Sequence, residues 1–196
     1  MIKIEQNPYQ LKDQDVEHFA NRVKALVVNE KDQLLLCRSN GCFAFVGGHV
    51  EQGESLADAL AREVLEETGI LVDFENVFPL GELVSYDKNY FNSGKVAKST
   101  ITYFVVKTDE EYDLKKQNLD SDEKEGNFEI VHINLKDAEK FLKEDEGFSK
   151  KTELYQEMLF MIQQYKKDKE SFDKSSSLLQ VWYVEKIWDN KHAWIA

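Results

Sequence analysis

Cysteine and proline are scarce, with two of each in 196 residues. Cys37 and Cys42 cannot build a disulfide framework, and with no Cys/His pair nearby their spacing is not a zinc pattern. They are expected as half-buried thiols in a reducing compartment. Positive charge is also in deficit: 25 Lys and Arg face 37 Asp and Glu, a formal charge of −12. This argues against partnership with long nucleic acids or anionic membranes, which both require a positive field. A polyanionic small substrate is compatible only where a metal or a local Lys/Arg cluster supplies positive charge. Long hydrophobic runs are missing as well. No stretch approaches 18 apolar residues, and the opening MIKIEQNPYQLKDQ has no apolar core of signal length. A cytoplasmic protein with no membrane span is expected.

What is present suffices for a core. Hydrophobic residues make up 42% and aromatics 12% of a chain long enough for one generous domain. Residues 1–20 are polar with little period and read as an N-terminal extension or short helix. Val23–Val28 and Leu34–Cys37 are apolar runs flanking the turn signal Asn29-Glu30-Lys31-Asp32, and a short strand over Phe43–Val46 runs into Gly47-Gly48. Ser55, with Asp58 three residues on, resembles a capping box, and Ala57, Leu60, Ala61, Val64 and Leu65 recur at helical spacing up to Gly69. Further strands are expected at 77–86, 99–107 and 128–135, and helices at 135–142 and 152–168. The acidic stretch 109–125, with eight acids and three lysines, is expected as a solvated loop. Strands and helices interleave without a regular βαβ rhythm, which predicts an α/β domain with a mixed sheet.

Residues 48–70, GHVEQGESLADALAREVLEETGI, carry the chemistry. Glu63, Glu66 and Glu67 lie at i, i+3 and i+4, so their carboxylates share one helix face within about 100°. Like charges at these spacings destabilise a helix by about 0.2–0.5 kcal/mol per pair. No Lys follows at i+4 to relieve them. Such a cluster is either a solvated acidic face or a site for a hard cation that prefers carboxylate oxygens. Gly47-Gly48 permits close backbone approach and a free carbonyl. Glu54 could pair with Arg62 and so aim Glu63, with Asp58 as the competing partner of Arg62.

The segment resembles the Nudix box, G-x5-E-x7-R-E-U-x-E-E-x-G-U with U aliphatic, and matches each fixed position: Gly48, Glu54, Arg62, Glu63, Val64, Glu66, Glu67, Gly69 and Ile70. Val46 stands where many members have proline before the two glycines, a change in the rigidity of the turn rather than in its donors. The resemblance implies an α/β/α sandwich and a pyrophosphohydrolase cleaving a nucleoside diphosphate linked to another moiety. It further implies Mg²⁺, with Mn²⁺ as a substitute, held by Glu63, Glu66, Glu67 and the Gly47 carbonyl, with Gly48, Glu54 and Arg62 in support. Glu63 or a loop acid would take a proton from water. Glu125 is the first choice for that acid, with Glu129, Glu123 and Glu82 as alternatives.

The expected organisation is an extension over 1–20, the Nudix-like domain over 21–148, and over 149–196 a C-terminal helix and aromatic tail packed on the domain or on a partner subunit in a homodimer. His49 is weighed as a loop residue against a phosphate contact. Tyr86, Tyr90, Phe91 and Tyr103 are weighed as sheet residues against base stacking, and Lys88, Lys95 and Lys98 as a basic loop meeting a phosphate. Two other functions stay open: a catalytically silent nucleotide sensor, and a pyrophosphohydrolase of RNA 5′ ends, which the charge disfavours. The choice among nucleoside triphosphate, nucleotide sugar, ADP-ribose and dinucleoside polyphosphate has no portable code in the sequence.

Overall fold

Residues 23–28 are apolar almost throughout, and in a strand such a run can be buried only if both faces are covered. The computed structural model describes residues 1–174, excepting the side chains of 91, 122, 123, 171, 173 and 174. The aromatic tail therefore lies outside the described residues, as do the side chains of Phe91 and Glu123. In chain order the elements are β1 (Ile2–Gln6), β2 (His18–Val28), β3 (Gln33–Ser39), β4 (Cys42–Ala44), α1 (Leu56–Thr68), β5 (Val77–Asp87), β6 (Ala97–Lys107), α2 (Ser121–Glu125), β7 (Glu129–Asn134), α3 (Ala138–Glu144), α4 (Gly147–Lys150) and α5 (Thr152–Lys174).

Among the described residues the strands join in one mixed sheet ordered β1-β5-β6-β2-β3-β4, with β7 pairing β3. β2 runs parallel to β6 over its whole length, from His18 opposite Ala97 to Val28 opposite Lys107. One face, with Val23, Ala25, Val27, Leu35, Phe104 and Val106, packs against Ala59, Leu60 and Val64 of α1. The other, with Leu26, Val28, Leu34, Leu36, Tyr103 and Val105, packs against α3 and α5. The result is the expected α/β/α sandwich. In α5, Tyr155, Met158, Ile162 and Tyr165 recur at helical spacing and are buried. No helix among the described residues is long and apolar enough to cross a membrane.

Three expectations are corrected. Residues 1–20 hold no α-helix: Ile2–Gln6 form an edge strand parallel to β5, with Ile2 opposite Gly81. A Cβ at Gly81 would come within 2.6 Å of Ile2 Cγ2, so the missing side chain makes the room that seats this strand. The acidic stretch is not simply solvated. Asp113 N donates to Thr68 O at 2.8 Å, Asn118 N to Glu66 O at 2.9 Å and Gln117 Nε2 to Glu67 O at 2.5 Å, which satisfies carbonyls that the end of α1 leaves free. Finally, Cys37 and Cys42 are buried rather than half-buried, and neither is in a disulfide.

Candidate active site

The site is built where α1 meets the turn that follows β4. Ser55 caps the helix by accepting from Asp58 N at 3.1 Å, and Ser55 Oγ donates to Asp58 Oδ2 at 2.7 Å. Gly69 closes the helix in the left-handed conformation, φ 76°, with its N–H on Leu65 O. Asp58 is thus engaged at the cap, and Arg62 is left to Glu54.

Arg62 organises the acids. Its Nε and Nη2 grip the two oxygens of Glu54 at 2.8 and 3.0 Å. Its Nη1 reaches Glu63 Oε1 at 2.9 Å and Glu66 Oε2 at 3.1 Å, and Nη2 also donates to the His49 carbonyl at 2.9 Å. One guanidinium therefore links the loop to the helix and partly offsets a box whose residues 48–70 hold six acids and one base, a net of −5. Its hydrogen bonds to Glu54 pull that carboxyl below the ordinary value. Glu63 moves the other way: burial raises its pKa, opposed by Arg62 and Lys24.

The two glycines have different reasons for being there. Gly47 has φ 125°, and a Cβ on it would run into the Val23 carbonyl. Its N–H donates to Glu67 Oε1 at 2.9 Å, which ties the turn to the helix. At Gly48 a Cβ would lie within 2.5 Å of Glu63 Oε1, so the Glu63 carboxylate occupies space that any other residue type would take. Glu63, Glu66, Glu67, Gly47, Gly48, Glu54 and Arg62 are brought together. Among the described residues no three His, Cys, Asp or Glu side chains are arranged to hold a metal ion. The carboxylates are turned instead onto Arg62 and the Gly47 N–H.

The loop acids are placed elsewhere. Glu125 is exposed at the end of α2, where the next carbonyl, of Gly126, accepts from Asn40 N at 2.7 Å; Glu125 has no hydrogen bond or ion pair to the box. Glu129 is exposed on β7 opposite Arg38, and Glu82 is paired with Lys3 at 3.0 Å. Tyr103 is fully buried, with its hydroxyl on Glu157, and so is a core residue. Tyr86 donates to Asp13 at 2.6 Å, and the His18 and Tyr90 rings lie 5.0 Å apart. Lys98 pairs with Asp13, and Lys88 sits over the Tyr9 ring.

Sequence reasoning missed two cations. Lys24 Nζ donates to the Phe45 carbonyl at 3.1 Å and to the Gly47 carbonyl, and Arg22 Nε donates to His49 Nε2 at 3.2 Å. Burial, then Arg22 and Lys24, hold the His49 pKa down, in keeping with an imidazole that accepts a hydrogen bond. The i, i+2 spacing of Arg22 and Lys24 in β2 was the available signal, since it puts both on one face of the strand.

The chain resembles known proteins over part of its length. It is 37% identical over 76 residues to an ADP-ribose pyrophosphatase of Methanocaldococcus jannaschii, covering 37% of this chain and 44% of that protein. It is 32% identical over 97 residues to the NAD-capped RNA hydrolase NudC of Vibrio parahaemolyticus, covering 42% and 37%. The chain thus spans less than half the length of the curated relatives it matches. Among solved structures, a Caenorhabditis elegans Ap4A hydrolase binary complex aligns with a TM-score of 0.48 at 15% identity, covering 78% of this chain and 98% of that one. The MutT protein from Bacillus halodurans aligns with a TM-score of 0.46 at 26% identity, covering 62% and 72%. The family model of the NUDIX domain matches residues 18–158, from the start of β2 into α5, and the chain belongs to that family.

Proposed function

We propose that this protein is a Mg²⁺-dependent pyrophosphohydrolase that cleaves a phosphoanhydride bond in a nucleoside diphosphate linked to another moiety. The observation that carries this reading is the cluster of Glu63, Glu66 and Glu67 on one side of α1, seated against Gly47-Gly48 and aimed by the Arg62–Glu54 fork. The donors fit the cation: they are carboxylate and carbonyl oxygens, the ligand type that Mg²⁺ and Mn²⁺ prefer. Glu63, Glu66, Glu67 and the Gly47 carbonyl would hold it. When bound, the cation offsets charge on the phosphate oxygens and makes a nearby water more acidic.

The chain's own residues supply the rest. Two carboxylates about 5 Å apart repel by roughly 3 kcal/mol at an effective dielectric near 20. Holding several of them against one turn therefore stores a demand for positive charge at that place. Arg62 meets part of it and fixes the carboxylate directions. Glu63 is the proposed proton acceptor for the attacking water, being the acid whose carboxylate lies against Gly48 at the turn and is fixed there by Arg62. Glu125 is the alternative base, should the stretch that carries it close over bound substrate.

The substrate is proposed as a small nucleotide, and a charge of −12 speaks against long nucleic acid. Nucleoside triphosphates, nucleotide sugars, ADP-ribose and dinucleoside polyphosphates form the panel to assay. The test is product analysis with and without Mg²⁺. Release of a nucleoside monophosphate or of pyrophosphate only with Mg²⁺ is expected. Tight nucleotide binding without turnover would instead identify a sensor, and faster attack on capped or triphosphorylated RNA ends would identify an RNA-processing enzyme.

A further inference from the structure

Glu67 is held at two points. Its carboxylate accepts from the Gly47 N–H at 2.9 Å. Its backbone carbonyl, in the last turn of α1, accepts from Gln117 Nε2 at 2.5 Å. The neighbouring carbonyls are taken from the same segment: Glu66 O accepts from Asn118 N at 2.9 Å and Thr68 O from Asp113 N at 2.8 Å. Leu65 O accepts from the Gly69 N–H. The four carbonyls at the end of α1 are therefore all occupied, three of them by residues 113–118. The segment comes this close because Gly69 has no side chain; a Cβ there would stand 2.4 Å from Asp113 O. The last turn of α1 carries no basic residue, so these donors are what answers the negative end of the helix dipole.

Two of the three donors in this segment are backbone N–H groups, which every residue but proline has. Gln117 contributes the third from its side chain, which is half-buried. Glu67 is only 4% exposed, so water has little access to replace a donor lost from its carbonyl. We propose that Gln117 is a positioning residue for Glu67: it fixes the last turn of α1 so that the Glu67 carboxylate stays on the Gly47 N–H. Without the amide, the helix frays at the residue that ties it to Gly47-Gly48. Gly47 then loses the bond that orients its peptide, and Glu67 loses its place beside Glu63 and Glu66. The consequence for a bound cation rests on the metal reading given above, whereas the link from Gln117 to Gly47 does not.

The test reads Gly47 itself, by amide hydrogen exchange followed by NMR on the isotope-labelled full chain, with urea unfolding of each variant to control for global stability. Gln117→Met keeps the length of the side chain and removes the donor. It is expected to speed exchange at Gly47 by at least about fivefold beyond any change at core amides such as Leu26 and Val105. Gln117→Glu carries the same expected sign and serves if the methionine variant does not fold. Gln117→Arg, whose Nε–H stands as many bonds from Cα as the glutamine amide nitrogen, is expected to bring exchange back to within about twofold of the parent. Binding of Mn²⁺ alone, read from loss of the free-ion electron paramagnetic resonance signal, is expected to weaken by at least about threefold in Gln117→Met. Unchanged exchange at Gly47, or a rise shared equally by the core amides, overturns the positioning role. Failure of Gln117→Arg to restore exchange overturns the hydrogen bond as its means. Faster exchange with unchanged Mn²⁺ affinity overturns the step from Glu67 to the cation. A parent chain that binds no Mn²⁺ overturns the metal reading instead, and the exchange result still decides the role of Gln117.

Discussion

Arg62 and Glu54 meet in a two-point fork, with Nε on Oε1 at 2.8 Å and Nη2 on Oε2 at 3.0 Å. A planar guanidinium matches a carboxylate in this way and an ammonium cannot. Arg62→Lys is therefore expected to lower unfolding free energy by about 1–3 kcal/mol, as read from urea denaturation. Turnover should fall by at least about tenfold, because Glu63 and Glu66 lose the same anchor. Glu54 is depressed below the ordinary glutamate value of 4.5, so its contribution is present above that pH and lost as acidification protonates it. The stability gap between the parent chain and Glu54→Gln should accordingly close on acidification.

Gly48→Ala separates site geometry from folding. The new Cβ meets the Glu63 carboxylate at about 2.5 Å while the backbone keeps an ordinary conformation. Melting temperature should shift by only a few degrees, while Mg²⁺-dependent turnover drops by about a hundredfold. Gly47→Ala, facing the Val23 carbonyl at φ 125°, should instead impair folding.

Glu157 has the opposite sign to Glu54. Burial raises its pKa above 4.5 in the folded chain, so the folded state binds the proton more tightly than the unfolded one. Its contribution is most favourable below pH 4.5 and is lost as the pH rises through the folded value. Glu157→Gln should thus raise the melting temperature at pH 7 relative to the parent chain, and the gain should shrink toward pH 4. Thermal melts across that range check it.

Strand β1 is expected to be integral to the sheet. Removing residues 1–8 strips the parallel partner from Gly81–Ser85 of β5 and uncovers the part of the α5-side core against which Ile4 packs. A loss of about 2–4 kcal/mol in unfolding free energy is expected from that edge. Equal stability of the shortened chain would show that the strand is dispensable.

Much of the arrangement was legible in the sequence because its signals are local. Ser55, Gly69 and the apolar spacing between them bound α1, and alternating or continuous apolar runs marked β2, β3, β5 and β6. The fork between Arg62 and Glu54 was legible only as one of two pairings, since Asp58 competes for Arg62 in sequence and it is the structure that engages Asp58 at the Ser55 cap. The docking of Asp113, Gln117 and Asn118 onto the end of α1 was not legible, because it joins segments some fifty residues apart and, the Gln117 side-chain amide excepted, uses backbone groups that carry no residue signature. Lys24 was missed for a related reason: its partners are the carbonyls of Phe45 and Gly47, which any residue possesses. β1 was missed because an edge strand of five residues buries too little to show a clear period.

The central claim is that the Glu63, Glu66 and Glu67 cluster holds the cation that drives phosphoanhydride cleavage. The most direct measurement is Mg²⁺-dependent product release by Glu63→Gln and Glu67→Gln, assayed beside the parent chain on the nucleotide panel. These substitutions keep shape and remove charge, and the account predicts that each lowers turnover by at least about a hundredfold while the chain stays folded. Metal-dependent turnover unchanged in both variants would contradict it.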